Sequence, residues 1–119
     1  MSDAHWRTIR VATYNIHRSR GMDGRTSPQR VADVIRSINP DIVAMQEVVG
    51  AGPSSTGHAE EIGAQLGMGW VMAPARHLRG CLFGNVVLSR FPIRHHAQYD
   101  LSWKTCGPRC CQRVDIALD

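Results

Sequence analysis

No apolar run in this sequence approaches the ~20 residues that span a bilayer. The opening "MSDAHWRTIR" also lacks the uninterrupted hydrophobic core of a secretory signal. These two absences make a cytoplasmic, reducing compartment the default expectation. Cysteine is sparse: Cys81, Cys106, Cys110 and Cys111, three of them crowded into "CGPRCC". Adjacent Cys110 and Cys111 do not make a simple disulfide framework. A zinc site combining these thiols with His95 or His96 is allowed by residue type, but two separated CxxC-type pairs are missing. There is no repeat at a solenoid period and no low-complexity tract. A strong charge of one sign is missing too. The formal charge of +4 and pI of about 9.2 suit an anionic partner. The basic residues are scattered, however, and an ordinary solvated surface accounts for them equally well.

What is present fits one globular unit. A chain of 119 residues has the length of a single domain. Its apolar fraction of 43% and charged fraction of 20% lie close to globular averages, so disorder is expected only at residues 1–7. "TIRVATYN" alternates polar and apolar side chains and predicts a strand; "RSRGMDGRTS" predicts a loop. Ser27 followed by Pro28 is a helix start, a hydroxyl cap before proline in the first turn. Val31, Val34, Ile35 and Ile38 give that helix one apolar stripe, and Asn39-Pro40-Asp41 stops it. "IVAMQE" is short, apolar and turn-bounded, as a central strand should be. "VVGAGPSSTGH" reads as a flexible connection, and "AEEIGAQLG" as a helix ended by Gly67. "WVMA", "LFGNVVLSR" (broken by Gly84), "AQYDLSW" and "QRVDIAL" are further strands. The order strand–helix–strand–helix followed by strands predicts a mixed α/β sheet with helices on one face. No second group of helices follows, and the chain ends at "IALD" directly after an apolar strand. It therefore reads as part of a domain, with a sheet face left open.

Two residues stand out against this pattern. Asn15 ends the first strand and Glu47 ends the second. A right-handed crossover through one helix would lay these strands side by side and parallel, bringing both carboxyl ends to one rim. Ligands commonly bind there in open α/β sheets. A carboxamide oxygen and a carboxylate are hard donors suited to Mg²⁺ or Mn²⁺. From spacing alone, a turn cap at Asn15 and a solvated strand end at Glu47 explain the residues as well.

"RVATYNIH", the helix after it, "PDIVAMQE" and "GNVVLSRFPI" together resemble the endonuclease/exonuclease/phosphatase superfamily of exonuclease III-like enzymes. The resemblance runs from about Arg10 to Leu118. "GPRCCQRVDIAL" looks like the family's "EPRG" strand, with Gly107 in place of the usual Glu. The resemblance implies the N-terminal half of a four-layer α/β/β/α sandwich. It also implies hydrolysis of phosphoester bonds (nuclease, phosphodiesterase or phosphatase) with Mg²⁺ or Mn²⁺ held by Asn15 and Glu47, the catalytic and metal residues matching the family's motif. His17 and Arg109 fall where substrate phosphate would be contacted; an exposed loop histidine and a structural ion pair are their alternatives. The family's Asp-x-Asn and late Asp-His pairs are absent from these 119 residues, so turnover by this chain alone is not expected. The expected partner is a phosphoester: a nucleic acid, a phospholipid headgroup or an inositol phosphate. Two other readings stay open, a non-catalytic module binding nucleic acid or phospholipid headgroups, and a fragment without independent function. Ser89 is expected to make structural hydrogen bonds, and Trp70 and Trp103 to pack in the core or sheet.

Overall fold

The computed structural model describes residues 8–103 and 107–118; the expected flexible segment 1–7 and Cys106 lie outside them. Six strands and two helices form in the order β1 (Val11–Asn15), α1 (Pro28–Ile38), β2 (Ile42–Val49), α2 (His58–Leu66), β3 (Gly69–Leu78), β4 (Cys81–Ser89), β5 (Ile93–Asp100) and β6 (Cys110–Ile116), with a 3-10 turn at His17–Ser19. Four strands make one mixed sheet in the order β1-β2-β4-β3, and β5 and β6 make a separate hairpin. The predicted crossover holds: β1 and β2 are parallel, with Val11 opposite Ile42 and Asn15 opposite Gln46. The other two pairings in the sheet are antiparallel.

Local chemistry sets the helix boundaries. Ser27 Oγ accepts the Arg30 N–H at 3.2 Å and Pro28 occupies the first turn, as the sequence predicts. Asn39 closes α1 in the left-handed region, its N–H donating to the Ile35 carbonyl. Gly67, at φ 64°, closes α2. Both helices cover one face of the sheet, burying Val31, Ala32 and Ile35 from α1 and Ala59 and Ile62 from α2 against Val43, Met45, Val48, Val86 and Leu88. The buried stripe of α1 is rotated from the predicted one. Val34 and Ile38 are 43% and 38% exposed while Ala32 is fully buried.

Several strands differ from their predicted bounds. β3 runs well past "WVMA", continuing through a bulge between Pro74 and Arg76. Gly84 does not break β4. It lies where a Cβ would collide with the Ala73 carbonyl across that bulge, so glycine is what permits the close approach. β5 begins at Ile93 and ends at Asp100, leaving Leu101 and Trp103 outside it and exposed. Trp103, at 66% exposure, is not a core residue; Trp70 is 42% exposed and rests beside Gly63 at the edge of the helix–sheet interface. Ser89 is buried and structural, exchanging hydrogen bonds of 2.8 and 2.9 Å with the Phe91 backbone.

The β5–β6 hairpin fastens to the sheet through side chains. Gln98 and Gln112 donate to the Pro74 and Val71 carbonyls, and the Cys110 thiol to that of Ala73. Asn85 of β4 donates in turn to the Cys110 carbonyl, so the hairpin is held against both β3 and β4. No helix among the described residues is long and apolar enough to cross a membrane.

Candidate active site

The site begins with a fault in β2. Along this strand Val43 and Met45 face the helices, so simple alternation would send Glu47 into the same core. A bulge prevents this. Gln46 and Glu47 together face one residue of β4, Asn85, between the Met45–Val86 and Val48–Gly84 pairs. Glu47 takes φ 55°, a left-handed conformation that few side-chain-bearing residues adopt. Val48 then takes the buried slot, and the carboxylate is freed to leave the core. Bulges beside functional sites re-aim side chains in this way.

Asn15 receives it. At the carboxyl end of β1, Asn15 Nδ2 donates to Glu47 Oε2 at 2.5 Å, and its Oδ1 accepts the His17 N–H at 3.0 Å. A backbone N–H only donates, so the amide oxygen must face His17 and the NH₂ must face Glu47. One side chain thus caps the turn at His17 and also contacts the Glu47 carboxylate. Behind them, Gln46 Nε2 donates to Thr13 Oγ1 and the Ala44 carbonyl, and the Ile16 N–H donates to the Gln46 carbonyl, tying the two strand ends together.

The chemistry of this donor set fits a small hard cation. Among the described residues Glu47 Oε1 has no partner, and Asn15 Oδ1 has accepted a single bond, leaving a lone pair. Among the described residues no group of three His, Cys, Asp or Glu side chains stands together. A cation here would therefore take few protein ligands, the habit of Mg²⁺, which keeps several waters.

The other predicted residues are dispersed differently. His17 is exposed, at φ 50°, and lines an open groove of about 300 Å³ with Asn15, Arg20 and Met22. Arg109 is exposed just before β6; its backbone pairs with Leu101 and Ser102, and its guanidinium reaches only the Pro108 carbonyl at 3.3 Å. His17 meets Asn15 through its backbone N–H alone, and Arg109 has no hydrogen bond to Asn15 or Glu47 among the described residues. Cys110 and Cys111 are neighbours on a strand and so point to opposite faces; Cys110 lies against Asn85 and Cys111 is exposed, with burial raising the Cys110 thiol pKa. His95 and His96 stand opposite Asp115 and Val114, away from both thiols in the register, which removes the zinc arrangement among the described residues. Three residues escaped the sequence reading: Arg18, Arg20 and Arg79, which with His58 line a cleft of about 200 Å³. The adjacent pair in "HRSR" and an arginine before Gly80 in a tight turn were the available signals.

Comparison with known proteins identifies the family. The family model described as Endonuclease/Exonuclease/phosphatase family matches residues 12–108, a span holding Asn15 and Glu47. The uncharacterized protein YbhP of Escherichia coli strain K12 is 30% identical over an alignment of 111 residues, covering 80% of this chain and 42% of that protein. The chain thus spans under half the length of the curated relatives it matches. A solved endonuclease/exonuclease/phosphatase from Beutenbergia cavernae superposes with a TM-score of 0.70 at 27% identity, over 91% of this chain and 34% of that one. A mannosyl-6-phosphatase from Bacteroides thetaiotaomicron shares the fold at a TM-score of 0.65 and 18% identity, over 92% of this chain and 46% of its own. With Asn15 and Glu47 meeting at the rim of the parallel β1–β2 pair inside the matched span, the chain belongs to the endonuclease/exonuclease/phosphatase family.

Proposed function

We propose that this chain supplies the cation-holding rim of a divalent-metal-dependent phosphoesterase. The observation that carries the reading is the 2.5 Å contact between Asn15 and Glu47, made possible by the bulge in β2. Family membership supports phosphoester hydrolysis in general. Glu47 holds Mg²⁺ or Mn²⁺ through its open carboxylate oxygen. Asn15 fixes the rotamer of Glu47 with its NH₂ and keeps a lone pair on Oδ1 that could serve as a second oxygen donor. A bound cation stabilises negative charge on phosphoryl and leaving-group oxygens. His17 borders the groove beside Asn15 and would donate to a phosphate oxygen there. Arg109, exposed and donating to the Pro108 carbonyl through one nitrogen, is assigned the same role from the hairpin side. Reduced Cys81, Cys110 and Cys111 suit a cytoplasmic setting.

The test separates metal binding from turnover. Mn²⁺ should broaden the Asn15 side-chain and Glu47 backbone NMR signals of the 119-residue chain, and Glu47→Gln should abolish that broadening while leaving the fold intact. Phosphodiester and phosphomonoester hydrolysis by the same chain should stay near background, since no Asp-x-Asn or Asp-His pair is available. Broadening that survives Glu47→Gln would remove the proposal. Salt-steep nucleic-acid binding indifferent to both metal and Glu47 would favour the non-catalytic module instead.

A further inference from the structure

Several arginines among the described residues already have a partner. Arg30, Arg36, Arg90 and Arg113 pair with carboxylates, Arg10 donates to the carbonyls ending α1, and Arg76 stacks on Phe83 at 5.0 Å. The side chains of Arg18, Arg20 and Arg79 have no such partner among the described residues, and all three line the same cleft of about 200 Å³. Among the described residues no Asp or Glu lines it. They come from separate parts of the chain: Arg18 and Arg20 from the 3-10 turn, Arg79 from the β3–β4 turn. His58, in the first turn of α2, joins them with a buried Nδ1 that has no hydrogen-bond partner. Three arginines lining one small opening bring like charges together, and an anion among them would relieve that. A buried nitrogen without a partner likewise calls for a ligand or water.

Two features make the cluster look held rather than incidental. Arg18 and Arg79 both occupy left-handed backbone, at φ 58° and 51°, where a Cβ is disfavoured. At Arg79 the tight turn before Gly80 favours Asn, Asp or Gly, yet arginine is present. The cleft also adjoins the rim described above. Arg18 follows Asn15 by three residues, Val49 of its wall follows Glu47 by two, and Arg20 lines both this cleft and the groove holding Asn15 and His17. A chain of three residues reaches at most about 11 Å, so the two openings are close neighbours.

We propose that this cleft is an anion subsite that holds a second phosphate group of the substrate, which makes the substrate class a phosphoester carrying at least two phosphates. The assignment of the anion to a substrate rests on the phosphoesterase reading; the binding of phosphate by Arg18, Arg20, Arg79 and His58 does not. Guanidinium forks match phosphate oxygens in pairs, and the imidazole adds a further donor when protonated.

The test uses the 119-residue chain without metal, titrated with pyrophosphate and with inorganic phosphate. The arginine Nε–H and His58 ring signals are followed by NMR. Pyrophosphate should shift those of Arg18, Arg20, Arg79 and His58 saturably at millimolar concentration. Arg79→Asn, which suits the turn and removes only the charge, should weaken binding about tenfold. Arg94→Gln, an equal loss of charge on exposed β5, should leave it unchanged, as should Glu47→Gln. Failure of metal binding with retained pyrophosphate binding would strike the phosphoesterase reading and spare the subsite. A short oligonucleotide and an inositol polyphosphate, run as competitors, distinguish the two sources of paired phosphates. Absence of saturable shifts, equal weakening by Arg94→Gln, or competition by neither compound would overturn the subsite.

Discussion

Asn15 spends both ends of one carboxamide, the oxygen on the His17 N–H and the NH₂ on Glu47. Substitutions that alter one end at a time therefore separate a structural role from a cation-related one. Asn15→Ala loses both bonds and should lower stability by about 1 kcal/mol, with Mg²⁺ bringing no recovery beyond that of the parent. Asn15→Asp keeps the turn bond but sets a second carboxylate against Glu47, and like charges at that distance repel. It should be about 1–2 kcal/mol less stable in chelator and should regain that difference as Mg²⁺ is added, because a cation bound to the folded form stabilises it by mass action. Thermal melts of the two variants with and without Mg²⁺ decide the matter; identical responses would mean the rim is a turn cap and nothing more. His58 gives a second residue-scale prediction. Burial lowers its pKa from 6.5, against a smaller opposing pull from Glu61. A histidine held below its unfolded value contributes stability at pH above 6.5 that is lost as pH falls toward the folded pKa, since the unfolded chain takes up the proton first. His58→Gln should flatten the stability profile on the acid side of 6.5, and added pyrophosphate should flatten it in the parent protein. Asp23 has the same sign at lower pH. The Arg30 guanidinium and the Arg25 N–H hold its carboxyl below 3.8, so its contribution fades only in strong acid.

Elements were legible wherever two independent signals coincided. α1 had a cap, a proline and an apolar period, and its bounds follow all three. The β1–α1–β2 crossover was legible for the same reason, and it alone placed Asn15 and Glu47 on one rim. β3 and β5 were harder. Pro74 and the Pro74–Arg76 bulge interrupt alternation in β3, and "IRHHAQYD" is polar on both faces because the hairpin buries little. The bulge at Gln46–Glu47 had no local signature at all. Its cause is tertiary, the need to keep a carboxylate out of a core that Val43, Met45 and Val48 fill. Single substitutions rank these devices. Ser27→Ala removes one capping bond and should cost about 1 kcal/mol. Gly84→Ala drives a methyl into the Ala73 carbonyl, with backbone on both sides unable to yield, and overpacking of that kind costs about 1–3 kcal/mol. Chemical denaturation should therefore place Gly84→Ala below Ser27→Ala; the reverse order would mean that β3 shifts freely and that the bulge is not fixed by glycine.

At the scale of the whole molecule, shape and surface point the same way. The Cα radius of gyration is 15.6 Å and the extents are 59 × 34 × 24 Å. A compact domain of this length would have a radius of gyration of about 13.5 Å. The excess accompanies a plate-like arrangement: two helices on one face of the sheet, and a narrow hairpin fastened to β3 and β4. Val11, Tyr99, Leu101 and Leu118 are 46–64% exposed, and Val11 shares its face of β1 with Thr13 and Asn15, opposite the helices. A sheet is stable when both faces are covered or when the outer one is polar, and here apolar side chains remain on it. Native protein should accordingly enhance the fluorescence of a hydrophobic dye such as ANS while still unfolding in one cooperative transition. A molten state would give the dye signal without the transition. Val11→Thr together with Leu101→Ser should reduce dye binding without loss of stability, because neither side chain belongs to the buried cluster beneath the helices. Undiminished dye binding in that double variant would place the accessible apolar surface elsewhere, and an unenhanced parent would show that the face is already covered in solution.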